Sequence, residues 1–136
     1  MIANPAYIFM GEKAPKEMPI LLDGAVSATY QLANANFTSG KFVLNSGGSV
    51  TFTLDLTGYK QIAITAKSLS RYGATNLEFQ FVVGGSPLTI ESYPFPKNIA
   101  QEHTFQIPKA YQSKNVQMRL TDSSGGKDIV KIIATS

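Results

Sequence analysis

Few residues of this 136-residue chain have the type and spacing to carry chemistry. The one histidine, His103, sits in Gln101-Glu102-His103-Thr104-Phe105, entering an alternating run. A Ser/His/Asp relay needs an activated serine, and no Gly-x-Ser-x-Gly elbow is present. A zinc site needs several His or Cys ligands, and the chain has no cysteine. His103 therefore reads as a surface or edge-strand residue. Among the carboxylates, Glu78 and Glu91 stand on the two arms of one expected hairpin and could face each other. Glycoside hydrolysis uses two carboxyls about 5–10 Å apart. Both fall on wet faces, which favours solvated charge over an acid–base pair. Ser46-Gly47-Gly48-Ser49 and Ser123-Ser124-Gly125-Gly126-Lys127 are Gly-rich but lack the spacing of a phosphate-binding loop, and read as turns. Asp122 and Asp128 flank the second. With backbone carbonyls they could hold Ca²⁺, which takes six to eight oxygens. No EF-hand register accompanies them, so plain turn residues are the preferred reading. The chain is expected to be no enzyme and to carry no cofactor.

Binding is better provided for. Two segments combine aromatic rings with hydrogen-bonding groups: Ser70-Arg71-Tyr72-Gly73-Ala74-Thr75-Asn76 and Tyr93-Pro94-Phe95-Pro96-Lys97-Asn98. Sugars present C–H faces to aromatic rings and hydroxyls to amides, carboxylates and guanidinium groups, so Arg71, Tyr72, Asn76, Tyr93, Phe95 and Asn98 are the candidate ligand-binding residues. The competing reading has Tyr93 and Phe95 capping the core while the prolines stiffen a crossover. Arg71 and Tyr72 are the better placed for exposure, because Gly73 makes their loop tight and outward.

The elements that would position these loops are strands. Val50, Phe52, Leu54 and Leu56 alternate with Thr51, Thr53 and Asp55, giving one apolar and one wet face. Ile62, Ile64 and Ala66 continue the pattern, as do Leu77, Phe79, Phe81 and Val83, then Phe105 and Ile107, then Val116, Met118 and Leu120. Gly84-Gly85 predicts a hairpin turn, since Gly accepts positive φ without penalty, with a returning strand over 88–93. The last strand, Asp128 to Ala134, is expected to be buried on both sides. Val26 to Leu32 and Phe42 to Leu44 make weaker strands, and Tyr7 to Met10 an edge strand or arm. Turns at 45–48, 57–60, 84–87 and 122–127 recur at the spacing of a sandwich. No window holds a helical period. The expected fold is all-β, an antiparallel β-sandwich of jelly-roll type with eight or nine strands. Residues 1–20, with Pro5, Pro15 and Pro19, form an N-terminal arm or edge segment, and residues 21–136 the β-sandwich domain.

Composition narrows the partners. Charged residues are 15% of the chain, against about 25% in typical soluble domains. Strand faces are thus neutral, suited to cover by a partner, with Lys41, Lys60 and Lys67 as edge guards. The net charge of +3 is scattered, with no basic run to release counterions, which argues against nucleic acid. Without cysteine, disulfides are excluded. Met1 to Met10 lacks the basic start and apolar run of a signal peptide. No apolar stretch nears the roughly 20 residues of a membrane helix, so no membrane insertion is expected.

From about Gly47 to the end, the chain resembles galactose-binding-domain-like jelly rolls, the fold of many carbohydrate-binding modules. The resemblance rests on 47–56 (Gly-Gly-Ser-Val-Thr-Phe-Thr-Leu-Asp-Leu), Tyr59 to Ala66, Thr104 to Pro108, Asn115 to Leu120 and the Ile-rich final strand. It covers about two-thirds of the chain and implies the fold without assigning a binding residue. The short, Cys-free chain with neutral Thr/Asn/Gly-rich strands also resembles small phage or prophage virion proteins. The leading expectation is a structural or adhesive protein of a virion-type assembly, a homo-oligomer or part of a larger protein complex, found in the virion or outside the cell after lysis. The alternative is a free-standing carbohydrate-binding module that recognises cell-surface glycans.

Overall fold

A computed structural model of the chain describes residues 15–136. Ten strands follow in order: β1 Glu17–Leu22, β2 Ala25–Val26, β3 Thr29–Thr38, β4 Lys41–Leu54, β5 Gln61–Ser68, β6 Thr75–Val83, β7 Ser86–Phe95, β8 Gln101–Gln106, β9 Val116–Asp122 and β10 Lys127–Thr135. One short 3-10 turn, Lys109–Tyr111, precedes β9. All strand pairs are antiparallel. The fold is the expected all-β, antiparallel sandwich.

One sheet runs β3-β4-β9-β6-β7 and the other β8-β5-β10-β1-β2. The long β4 belongs to both. Its Phe42–Leu44 stretch pairs with β10, and its Ser49–Leu54 stretch pairs with β9. β3 follows β4 throughout, with a register break between Ala33 and Ala35. At the hand-over Gly47 has φ +79° and Asn34 φ +52°. A Cβ on Gly48 would lie 2.2 Å from the Asn34 carbonyl oxygen. The turn expected at 45–48 is thus a bulge inside one continuous strand. Gly-Gly serves either device, since both need positive φ and close backbone approach.

Alternation supplies the core. Val50, Phe52 and Leu54 from β4, Leu77, Phe79 and Phe81 from β6, and Met118 and Leu120 from β9 face Ile62, Ile64 and Ala66 from β5, Phe105 from β8, and Ile129, Ile132 and Ala134 from β10, all buried. Aromatic rings stitch the layers. Phe79 stacks on Phe105 at 4.9 Å, and Phe42 meets Phe52 edge-on at 5.5 Å. Each buried Phe contributes about 1.5–3 kcal/mol of apolar burial.

Four expectations change. Among the described residues there are ten strands, because the Val26–Leu32 segment divides into β2 and β3 and because β1 pairs with β10. The boundary at residue 20 falls inside β1, whose Ile20 and Leu21 are buried, so 17–20 belong to the sandwich. β10 is buried in succession only at Lys127–Ile129 and alternates afterwards. The lysines do not guard edges: Lys67 lies on β5, hydrogen-bonded on both sides, and both Lys41 and Lys67 approach Asp128, at 2.8 and 4.0 Å. Three of the four edge strands are blunted otherwise, β2 by its two-residue length, β3 by its bulge and β7 by Pro87 and Pro94. Tyr7 to Met10 lie outside the described residues. Among the described residues no helix is long and apolar enough to cross a membrane.

Candidate ligand-binding surfaces

The outer face of the β3-β4-β9-β6-β7 sheet carries the side chains that alternate with the core. Register aligns them in rows across the strands: Gln31, Thr51, Arg119, Gln80 and Thr89 form one, and Ala33, Ser49, Thr121, Glu78 and Ser92 the next. Hydrogen bonds join three strands in one direction. Arg119 Nε donates to Thr121 Oγ1 at 3.1 Å, and the Thr121 hydroxyl donates to Gln80 Oε1 at 2.9 Å. Gln80 Nε2 donates to Thr89 Oγ1 at 3.0 Å and to Glu78 Oε1 at 3.3 Å, and the Thr89 hydroxyl donates to Glu78 at 3.0 Å. The chain starts on a guanidinium and ends on a carboxylate. Gln80 is only 7% exposed, so its amide is fixed, while the terminal amino groups of Arg119 lie outside the chain of bonds. A preorganised donor and acceptor set of this kind matches sugar hydroxyls, which both give and accept hydrogen bonds. At the Gly84-Gly85 end the face opens into a cleft of about 640 Å³, between Val82, Val83 and Tyr111, with Thr53 and Gln117 on the sheet side. The sequence reading missed this face because each Thr and Gln is ordinary by itself; only cross-strand register assembles them.

The opposite end of the sandwich is built on a buried ion pair. Lys127 and Asp122 point inward from β10 and β9, both fully buried. Lys127 Nζ donates to Asp122 Oδ1, and to Thr75 Oγ1 at 2.6 Å. Asp122 Oδ2 accepts the backbone N–H of Gly126 at 2.9 Å and of Gly47 at 3.1 Å. Burial holds the Lys127 ammonium below its ordinary pKa, and the Asp122 carboxylate opposes that shift. Over this pair Leu69 N donates to Gly126 O, joining the loops 69–74 and 123–126, while Ser70 N donates to Ser68 Oγ and Tyr72 N to Ser70 Oγ inside the first. Between them lies a cleft of about 390 Å³, lined by Leu69, Ser70, Arg71, Tyr72, Ser124 and Gly125.

Arg71 and Tyr72 are brought together there. Arg71 Nη2 donates to the Tyr72 hydroxyl at 2.8 Å and its Cζ lies 5.0 Å from the ring centroid. Asn76, at the start of β6, is exposed and receives the Ser123 N–H and hydroxyl on its carbonyl. Asn98, exposed at φ +63°, closes the turn after β7 and donates its N–H to Ser68 O. Phe95 is fully buried, so it packs in the core and presents no face to a ligand. Tyr93 is half-buried at the open side of the sandwich, stacked on His103 at 3.7 Å and bonded to Gln101. His103 in turn meets Glu91 Oε2 at 2.8 Å. Glu91 faces this seam while Glu78 faces out, because Phe79 pairs with Glu91 and Gln80 with Thr89, leaving Ile90 bulged. The two therefore make no facing pair. Asp122 is taken up by Lys127, and Asp128 by Lys41 and Lys67, so neither carboxylate presents itself to Ca²⁺. No group of three or more potential ligands for a metal exists among the described residues.

No protein-family model matches the chain, and no curated protein matches it by sequence. Solved structures match it over about nine-tenths of its length. A family 29 carbohydrate-binding module from Piromyces equi has a TM-score of 0.64 at 12% identity, over 90% of this chain and 91% of that one. A family 29 module mutant complexed with mannohexaose has a TM-score of 0.67 at 8% identity, over 90% and 93%. Another, complexed with cellulohexaose, has a TM-score of 0.65 at 9% identity, over 89% and 91%. All three are described as carbohydrate-binding modules and none as a virion protein. At such identities the likeness is one of fold: the chain has the β-sandwich fold of family 29 carbohydrate-binding modules.

Proposed function

We propose that this chain is a non-catalytic carbohydrate-binding module that holds a neutral oligosaccharide on the outer face of the β3-β4-β9-β6-β7 sheet. The observation that carries the reading is the directed hydrogen-bond chain from Arg119 through Thr121 and Gln80 to Glu78 and Thr89. It leaves polar groups oriented toward solvent on a fold shared with modules complexed with mannohexaose and cellulohexaose. From Asn76 to Val82 on β6 the face is about 20 Å long at the usual rise of a strand, room for a short oligosaccharide. Among the described residues no aromatic side chain stands in these rows. Affinity must then come from hydrogen bonds, and the charge-assisted ones at Arg119 and Glu78 contribute most, about 1.5–3 kcal/mol each.

The test is calorimetric titration with cellohexaose and mannohexaose. Arg119→Ala should weaken binding by about tenfold or more, the factor that corresponds to about 1.4 kcal/mol. Gln117→Ala, an exposed neighbour in the adjacent row, supplies a second variant that leaves the network whole and should cost less. Unchanged affinity in Arg119→Ala, with an unchanged melting temperature, would sink the assignment of this face. Absence of binding by the wild type on a broad array of neutral glycans would sink the function.

A further inference from the structure

The cleft at the ion-pair end differs in charge and shape from the sheet face. We infer that it is a second, separate binding site, and that it takes an acidic sugar, a uronate unit of a polysaccharide, with its ring against Tyr72 and its carboxylate on Arg71. The inference does not depend on the sheet face.

Three observations lead to it. Tyr72 is 84% exposed, an aromatic ring with no part in the core. Ser70 holds its backbone, and the Arg71 guanidinium donates to its hydroxyl and lies against one side of the ring. A ring with an open face is a platform for the C–H surface of a pyranose. Leu69, 40% exposed, adds an apolar wall beside it.

The cleft is rigid. A Cβ on Gly125 would lie 2.5 Å from the Cβ of Ser70, so the two loops touch. Gly125 N donates to Ser46 Oγ, tying the loop to β4. Its volume of about 390 Å³ lies within the range of small-molecule sites, about 300–1,000 Å³.

Finally, the charge is one-sided. The six lining residues include one cation and no acid. Lys97 adds a second cation, its ammonium donating to the Arg71 carbonyl at 2.9 Å. Among the described residues, neither Arg71 nor Lys97 forms an ion pair. Asp122, beneath the loops, is occupied by Lys127 and two backbone N–H groups. A neutral sugar leaves the guanidinium without a counter-charge, whereas a carboxylate accepts two N–H bonds from one guanidinium edge.

The probes are hexagalacturonate, the same oligomer as its methyl ester, and cellohexaose, titrated at about 0.05 M and 0.5 M NaCl, below and well above physiological screening. Hexagalacturonate should bind, more weakly at high salt. The ester should bind at least about tenfold less well. Arg71→Ala and Tyr72→Ala should each cost about tenfold with the melting temperature unchanged, since both side chains are at the surface. Lys97→Ala should cost less, because its ammonium already serves the loop. Arg119→Ala should leave uronate binding intact whatever becomes of cellohexaose, which separates this site from the sheet face. Lys114, exposed near the far end, is the charge control. An equal loss in Lys114→Ala and Arg71→Ala would reduce the effect to general attraction and overturn the site. Equal binding of acid and ester, or no binding of hexagalacturonate by the wild type, would overturn it too.

Discussion

Replacing Asp122 by Asn removes one charge and almost no volume, and it should be among the most destabilising isosteric changes available to this protein. The carboxylate receives Lys127 Nζ and the Gly126 N–H in the buried interior and the Gly47 N–H at its edge. An amide at 122 still accepts one or both backbone bonds through its oxygen, but its NH₂ group turns a donor toward the ammonium. Breaking a buried pair from one side costs about 3–5 kcal/mol, because the surviving charge stays desolvated. At about 2.1 cal/mol/K of unfolding entropy per residue, the 136-residue chain changes by about 0.29 kcal/mol/K, so the melting temperature should fall by about 10–17 °C. Adding Lys127→Met removes the stranded charge and should return the double variant to within about 2 kcal/mol of the wild type, since apolar replacement of a buried pair is often near neutral. The pH dependence has a definite sign. The folded-state pKa of Lys127 lies below its ordinary 10.5. Between those two values the unfolded chain binds a proton that the folded chain does not, so stability rises with pH across that window. Asp122 is the group that opposes the shift, so Asp122→Asn should widen the window downward and recover part of its loss between neutral pH and about pH 10. Urea unfolding at both pH values measures this without the screening that guanidinium chloride would add. A cost under about 1 kcal/mol for Asp122→Asn, or a double variant as unstable as the sum of its parts, would refute the reasoning.

At the β4 bulge, Gly48→Ala should cost about 2–3 kcal/mol, because the new methyl meets the Asn34 carbonyl oxygen at 2.2 Å and backbone has to move. Gly47→Ala should cost about 1–2 kcal/mol, since only its φ of +79° is strained and the space beside it is open; denaturation curves in which Gly47→Ala is the worse of the two would contradict this account. Asp55 is held below its ordinary carboxyl pKa of 3.8 by hydrogen bonds from Thr57, side chain first and then backbone, with Lys114 and Lys16 adding attraction. A depressed carboxyl contributes stability that is present above about pH 4 and lost as pH falls through the folded value. Its midpoint by NMR should therefore move up toward 3.8 in Thr57→Val, and an unmoved midpoint would remove the Thr57 hydroxyl as the cause.

What could be read from the sequence was what short-range chemistry decides. The β6–β7 hairpin is an example: Gly84 and Gly85 both take positive φ, +58° and +82°, as a two-residue turn with the favoured twist requires. The apolar face of β4 was equally plain, because Val50, Phe52 and Leu54 repeat every second position. The exposure of Tyr72 followed from Gly73 in a tight loop. What escaped was set by partners distant in sequence. Gln80 and Arg119 are 39 positions apart and meet only because β6 and β9 pair in one register. Lys127 looked like a turn residue after two glycines, yet it faces the core because Leu44 and Ser68 flank it on the neighbouring strands. Phe95 looked like a partner for ligand beside two prolines, but strand parity along β7 sends it inward.

The buried Lys127–Asp122 pair links these levels. Two apolar residues at 122 and 127 would close the core about as well, since a buried ion pair seldom adds net stability over good packing. The ion pair does something packing cannot. Asp122 has oxygen lone pairs left after meeting Lys127, and they are satisfied only if Gly47 and Gly126 bring their N–H groups to one point. Lys127 likewise reaches Thr75, where β6 begins after the Arg71 loop. An unsatisfied buried polar group costs about 1–3 kcal/mol, so misplacing either loop carries a penalty that apolar contacts would not impose. One ion pair thus sets the bulge that bends β4 from sheet to sheet and the seat of the cleft beside Tyr72. On this account Asp122→Asn/Lys127→Met should fold well but hold Arg71 and Tyr72 less firmly, with faster amide exchange at 69–74 and 124–126 than in the wild type. Unchanged exchange there would leave the pair with no part in shaping the cleft.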